Sequence, residues 1–224
     1  MTSRKRFTKK EIKEDKLVTT AFKTSEYIQK NPAPFVFGGV VVAVIFAALL
    51  LFMWSADKKQ AEATTLLARA RLSMEAGQAN VGITDLKALI SDYAGTKQAG
   101  YGALRFANYY YQNDKDYDEA LKYFEIVIAD YPDDKVRLAN AANGAASCYA
   151  HSGNFTEAAG LFEMSADVHP ERSWAPGQMK QAIYHYIQAG DTAKAISVIK
   201  RLDSLYETST ESMAAQRILA EITY

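Results

Sequence analysis

The sequence predicts an all-α protein: a solenoid of about four helix pairs with a C-terminal helix, preceded by one transmembrane helix. Three observations carry this. A pattern of small and aromatic residues recurs about every 38 residues along most of the chain. A glycine stands in constant phase before most copies, where one helix must end and the next begin. Residues 35–54 are twenty consecutive uncharged residues.

Residues 1–34 hold nine Lys/Arg and four Asp/Glu, a net of +5. The formal charge of the chain is zero, so residues 55–224 carry −5. The stretch "KKEIKEDKLVTTAFKTSEYIQKNPAP" reads as a short helix with Leu17, Ala21 and Ile28 on one side, ended by Pro32 and Pro34. It suits either an amphipathic helix attracted to anionic lipid or a solvated topology signal.

"FVFGGVVVAVIFAALLLFMW", residues 35–54, is long enough as a helix to cross about 30 Å of hydrocarbon. Phe35 and Trp54 stand at its two ends, where aromatic rings favour the interface. A cleaved signal peptide fits less well. The apolar run is too long, 34 residues precede it, and Trp54 spoils the small-residue cleavage pattern. Near the span, Lys16, Lys23 and Lys30 on one side face Lys58, Lys59, Arg69 and Arg71 on the other. The whole tail decides, because short tails obey the positive-inside bias while long domains translocate largely regardless of charge. The expectation is a cytoplasmic tail (1–34) and a domain outside the cytoplasm (55–224). Gly39, Ala43 and Ala47 form a small-residue row in the span, of the kind that supports helix pairing and that also arises by chance in any Gly/Ala-rich span.

Beyond the span, the clearest repeat is "DKDYDEALKYFEIVIADYPDD", residues 114–134. Apolar residues at 120, 121, 124, 127 and 128 make one helical stripe. Asp116 is the expected N-cap, with Glu119 as a capping-box partner, and Pro132 ends the helix at Tyr131. The copies place Gly82, Ala120, Ala158 and Ala195 at the small position, followed by Leu86, Phe124, Phe162 and Ile199. Five residues before the small position come Gly77, Lys115, Gly153 and Gly190; nine before it come Ser73, Tyr111, Tyr149 and Tyr186. Each unit is therefore helix, tight turn, helix. "STESMAAQRILAEITY" continues the helical pattern as a cover for the last unit.

This pattern resembles the tetratricopeptide repeat (TPR) family over roughly residues 60–207. The resemblance implies a TPR-like α-solenoid in which the small residue lets paired helices approach closely. Three features depart from the family. Leu66, Leu104, Ala142 and Met179 stand where its Trp is usual, the first and last units lack the closing Pro, and the period is three or four residues long. The extra residues are expected in the first helix of each pair or the loop leading to it.

In the family the first helices line a concave surface. Carrying its usual groove positions over gives Leu67, Arg71 and Met74 in the first repeat and Arg105, Tyr109 and Gln112 in the second. The third offers Asn140, Asn143, Ser147 and His151, and the last Lys180, Tyr184 and Gln188. Amides, rings and cations in this mixture suit an extended peptide. The family's carboxylate clamp is not supported, because Tyr109 follows Arg105 and Tyr184 follows Lys180 where an Asn is required.

No catalytic constellation is evident, so no enzyme is expected, and no cofactor. His151, His169 and His185 fall in different parts of three units; His151 alone is expected to face the groove, and His169 replaces a structural Tyr. His185, between two tyrosines, is expected to pack. Cys148 is the only cysteine, which leaves no internal disulfide or Cys-based metal site, and its apolar context predicts a buried small hydrophobe. The acidic sequences at 114–119 and 133–135 lack calcium-loop spacing and read as turns and helix starts. An acidic domain also lacks the basic stripe that nucleic acid requires.

The layout of short basic tail, single anchor and acidic TPR domain resembles the bacterial inner-membrane family of the ancillary subunit of the SecYEG translocon. That resemblance implies a single-pass adaptor with a cytoplasmic N-terminus and a periplasmic TPR domain, bound to the translocon or to periplasmic chaperones. Two other readings stay open: a scaffold for envelope assembly or cell division, and a transmembrane regulator signalling through the tail.

Overall fold

The computed structural model describes residue 30 and residues 32–223. The helix expected in the tail lies outside the described residues. Nine α-helices are described: α1 (Pro32–Glu75), α2 (Ala79–Asp92), α3 (Lys97–Tyr109), α4 (Tyr117–Asp130), α5 (Lys135–His151), α6 (Phe155–Val168), α7 (Ala175–Gln188), α8 (Thr192–Leu205) and α9 (Thr210–Thr223). A π-helical turn, Tyr110–Asp114, follows α3. No strand occurs among the described residues.

The chain divides into two compact units, Met1–Asp57 and Lys58–Tyr224. In the first, α1 carries an apolar stretch of mean hydropathy 2.9, none of it buried. Phe37, Phe46, Leu51, Phe52 and Trp54 are all exposed. By length and composition this helix is sufficient to cross a membrane.

In the second unit the helices pair as the repeats predict: the end of α1 with α2, α3 with α4, α5 with α6, and α7 with α8. The small positions explain the close approach. Ala120, Ala158 and Ala195 are fully buried. At Gly82 an added Cβ would lie 2.9 Å from the Ala70 carbonyl oxygen, so here even a methyl group does not fit. Phe124 and Phe162 fill the space beside these contacts, and burying each contributes about 1.5–3 kcal/mol.

The turn positions also behave as a set. Gly77, Gly153 and Gly190 each have φ of 77°, and Lys115 has φ of 53°. All four are left-handed, the conformation that ends one helix and aims the next. Asp116 and Asp191 then cap α4 and α8, and Asp134 caps α5 after the Tyr131–Pro132 break, accepting from Glu119 N, Lys194 N and Arg137 N at 3.0 Å each. The expected capping box at Asp116 is only half made, because the Glu119 carboxylate pairs with Lys122 at 2.6 Å instead.

The long period has a different cause in each unit. In the second repeat the extra residues form the π turn after α3. In the third they lengthen α5 to 17 residues. In the fourth they lie in the loop between Val168 and Ala175.

Candidate functional site: two depressions along the first helices

The first helices build two depressions of contrasting chemistry. The first, of about 670 Å³, lies between the C-terminal part of α1 and α3. Leu67, Arg71, Met74, Arg105, Tyr109 and Gln112 all line it, so every sequence-derived position of the first two repeats meets there. Arg71 Nε donates to Glu75 Oε1 at 2.8 Å. That bond and the nearby Arg105 charge hold the Glu75 carboxyl below its usual range. Arg105 leaves the local balance cationic, against an apolar lining of Leu67, Met74 and Leu104.

The second depression is a trough of about 490 Å³ between α5 and α7, floored by Phe155 and Phe162 of α6. Asn143, Ser147, His151, Tyr184 and Gln188 line it as the sequence suggested. Asn140 and Lys180 do not; Asn140 stands exposed and Lys180 half-buried, outside both depressions. Sequence reasoning missed Tyr111, Gln178, Gln181 and His185 in the trough. The signal was present as carboxamides at 178 and 181, which continue the row of Gln188 along the helix, whereas the family's register runs through Lys180 and Tyr184.

His185 corrects an expectation. It is packed, as its flanking tyrosines suggested, yet it also lines the trough beside His151. Its ring stacks on Phe162 at 5.3 Å and Phe155 at 5.9 Å between centroids. Burial holds this imidazole below its usual range and keeps it neutral. Nδ1 donates to Gln188 Oε1 at 3.1 Å, and Gln188 Nε2 donates to the Tyr184 hydroxyl at 3.0 Å. The neutral ring then offers Nε2 as an acceptor. Gln178 Oε1 is buried with no partner.

On the opposite wall, His151 stacks on Tyr117 with centroids 4.1 Å apart and planes 3° apart, and Tyr111 Oη lies 3.3 Å from His151 Nε2. The π turn explains how the aromatic ring arrives. It directs Tyr111 into the trough and its neighbours Gln112 and Asn113 into the first depression. Cys148 is buried away from both linings, with its thiol pushed up to about 12 by burial. His169 is taken up by Glu171, 2.7 Å from Nδ1.

The family described as "tetratricopeptide repeat-like domain" matches residues 26–167, well over half the chain. Among solved structures, the chain is similar to the TPR-like repeats of a putative kinesin light chain from Podosopora anserina. The TM-score is 0.51 and the identity 16%, over 72% of this chain and 85% of that one. It is also similar to MamA protein (TM-score 0.50, 18% identity, over 68% and 76%). BtubC (BKLC) from P. vanneervenii gives 0.50 and 13%, over 64% and 62%. At these identities the likeness shows the fold. No curated protein matches the chain in sequence.

Proposed function

Since the chain belongs to the tetratricopeptide repeat-like domain family, we propose that it is a single-pass, membrane-anchored adaptor that holds protein partners against its first helices. The family's fold is typically a non-enzymatic interaction scaffold, and the helix pairs here supply that scaffold. The observation that carries the reading is the pair of open depressions along the first helices, where Arg71, Arg105, Tyr109, Asn143, Ser147, His151 and Tyr184 collect. Their amides, cations and rings suit polypeptide recognition.

The exposed apolar helix supports anchoring, and the basic tail supports a cytoplasmic N-terminus with the repeats in the periplasm. Tethering confines the domain to a thin layer beside the membrane and raises the effective concentration of partners there. Modest affinity then suffices. The partners proposed are the secretion translocon and periplasmic chaperones, on the layout of tail, anchor and acidic repeats.

Photocrosslinking from Tyr109 and Tyr184 in intact membranes tests this, together with reporter fusions at both ends. Capture of translocon or chaperone subunits is the expected outcome. Capture of only division or wall-assembly proteins replaces the adaptor with an envelope scaffold, and a cytoplasmic signal from a C-terminal fusion reverses the topology.

A further inference from the structure

Resting on that protein-binding reading, we infer that the trough between α5 and α7 selects an extended, uncharged polypeptide segment by bonding its main chain. Three observations lead there. None of the twelve residues lining the trough carries a carboxylate, ammonium or guanidinium group. A charged side chain seated in it would give up part of its water and meet no carboxylate, ammonium or guanidinium in return, which is unfavourable. The depression between α1 and α3 differs in this respect, because Arg71 and Arg105 line it.

Second, the trough holds acceptors in want of donors. The Gln178 Oε1 atom is buried without a partner. His185 has committed Nδ1–H to Gln188, so its Nε2 accepts while the ring is neutral. An extended backbone supplies N–H donors for such acceptors, and the carboxamide N–H groups of the wall can answer its carbonyls.

Third, the dimensions agree. The α7 wall from Gln178 to Gln188 spans about 15 Å and the α5 wall from Asn143 to His151 about 12 Å. At about 3.3 Å per residue, roughly four extended residues lie along them. The aromatic rings argue against a neutral oligosaccharide. Tyr117 covers a face of His151 and Phe162 covers a face of His185, which leaves Tyr184, 53% exposed, as the one largely open ring in place of a stacking platform.

The test uses the full chain in lipid nanodiscs and a phage-displayed library of random nonapeptides. Retained sequences are expected to be depleted of Asp, Glu, Lys and Arg over about four adjacent positions. N-methylation of one amide within that stretch of a synthetic peptide should weaken binding about tenfold. Gln178→Met should weaken it similarly while raising the melting temperature, since the substitution removes an unpaired buried oxygen. A merely structural Gln178 would give the thermal gain with unchanged affinity, and that result overturns the inference. So do enrichment of charged peptides, indifference to N-methylation, retention of maltohexaose in place of peptides, or no peptide retained at all. Crosslinking from Tyr109 and Tyr184 is a separate measurement. If it captures a protein while peptides fail here, the adaptor stands and this specificity falls.

Discussion

Gly144 of α5 faces the Phe124 ring so closely that a Cβ built there would overlap three of its ring carbons. Phe124 is 1% exposed and has no room to yield. Gly144→Ala should therefore cost about 1–3 kcal/mol. Gly160 of α6 meets nothing within 4 Å, so Gly160→Ala should stabilise by up to about 1 kcal/mol through helix propensity alone. Thermal melts of the two variants should shift in opposite directions. His185 gives a pH prediction. Burial lowers its folded-state pKa below the ordinary 6.5, so the unfolded chain takes up a proton first as pH falls. Its contribution is present above about pH 6.5 and is lost progressively below it. The melting temperature should fall between pH 7.5 and 5.0, and less so in His185→Phe, which keeps the ring stack and cannot titrate. The lowered carboxyls of Asp191, Glu75 and Glu171 lose their contributions at lower pH, outside this window.

Each helical hairpin depends on one left-handed residue, and Lys115 is the exception among three glycines. An L side chain at φ of 53° carries strain that glycine avoids. Lys115→Gly should raise stability by about 0.5–1 kcal/mol, whereas Gly153→Ala should lower it by about 1–2 kcal/mol. Denaturant titration of both variants checks the pair. The same position shows why part of the site escaped the sequence. Spacing placed Tyr111 nine residues before Ala120, in phase with Tyr149 and Tyr186, but α3 ends at Tyr109 and a π turn follows. That turn changes which way consecutive residues point, so Tyr111 and Gln112 serve different depressions. In α7, periodicity correctly marks a helix with polar residues along it. It does not decide whether Lys180 or Gln181 faces α5, because contacts with α6, α8 and α9 set the rotation of the helix.

At the scale of the molecule, a solenoid leaves an apolar face at each end, and α9 covers the last one. Ala215 is buried there, with Ile218, Leu219 and Ile222 packed half-buried against the cluster of Val198, Ile199 and Leu202. The Ser212 hydroxyl adds a 2.8 Å bond to Asp203 Oδ1. A chain ending at Leu205 should lose about 3–4 kcal/mol, which corresponds to a melting temperature lower by roughly 6–15 °C. Thermal melting with light scattering checks this, and an unchanged melting temperature would remove α9 from the cooperative unit. The all-α class, the helix pairing, the turn positions and the apolar span were set by the sequence itself. Each rests on local spacing or composition, which the chain carries wherever it packs. Which polar side chains share a trough, and that arginines line one depression while the other has no carboxylate, ammonium or guanidinium group, was decided only in the tertiary structure. Those facts depend on how each helix is rotated against its neighbours, a choice made by contacts between residues far apart in the chain.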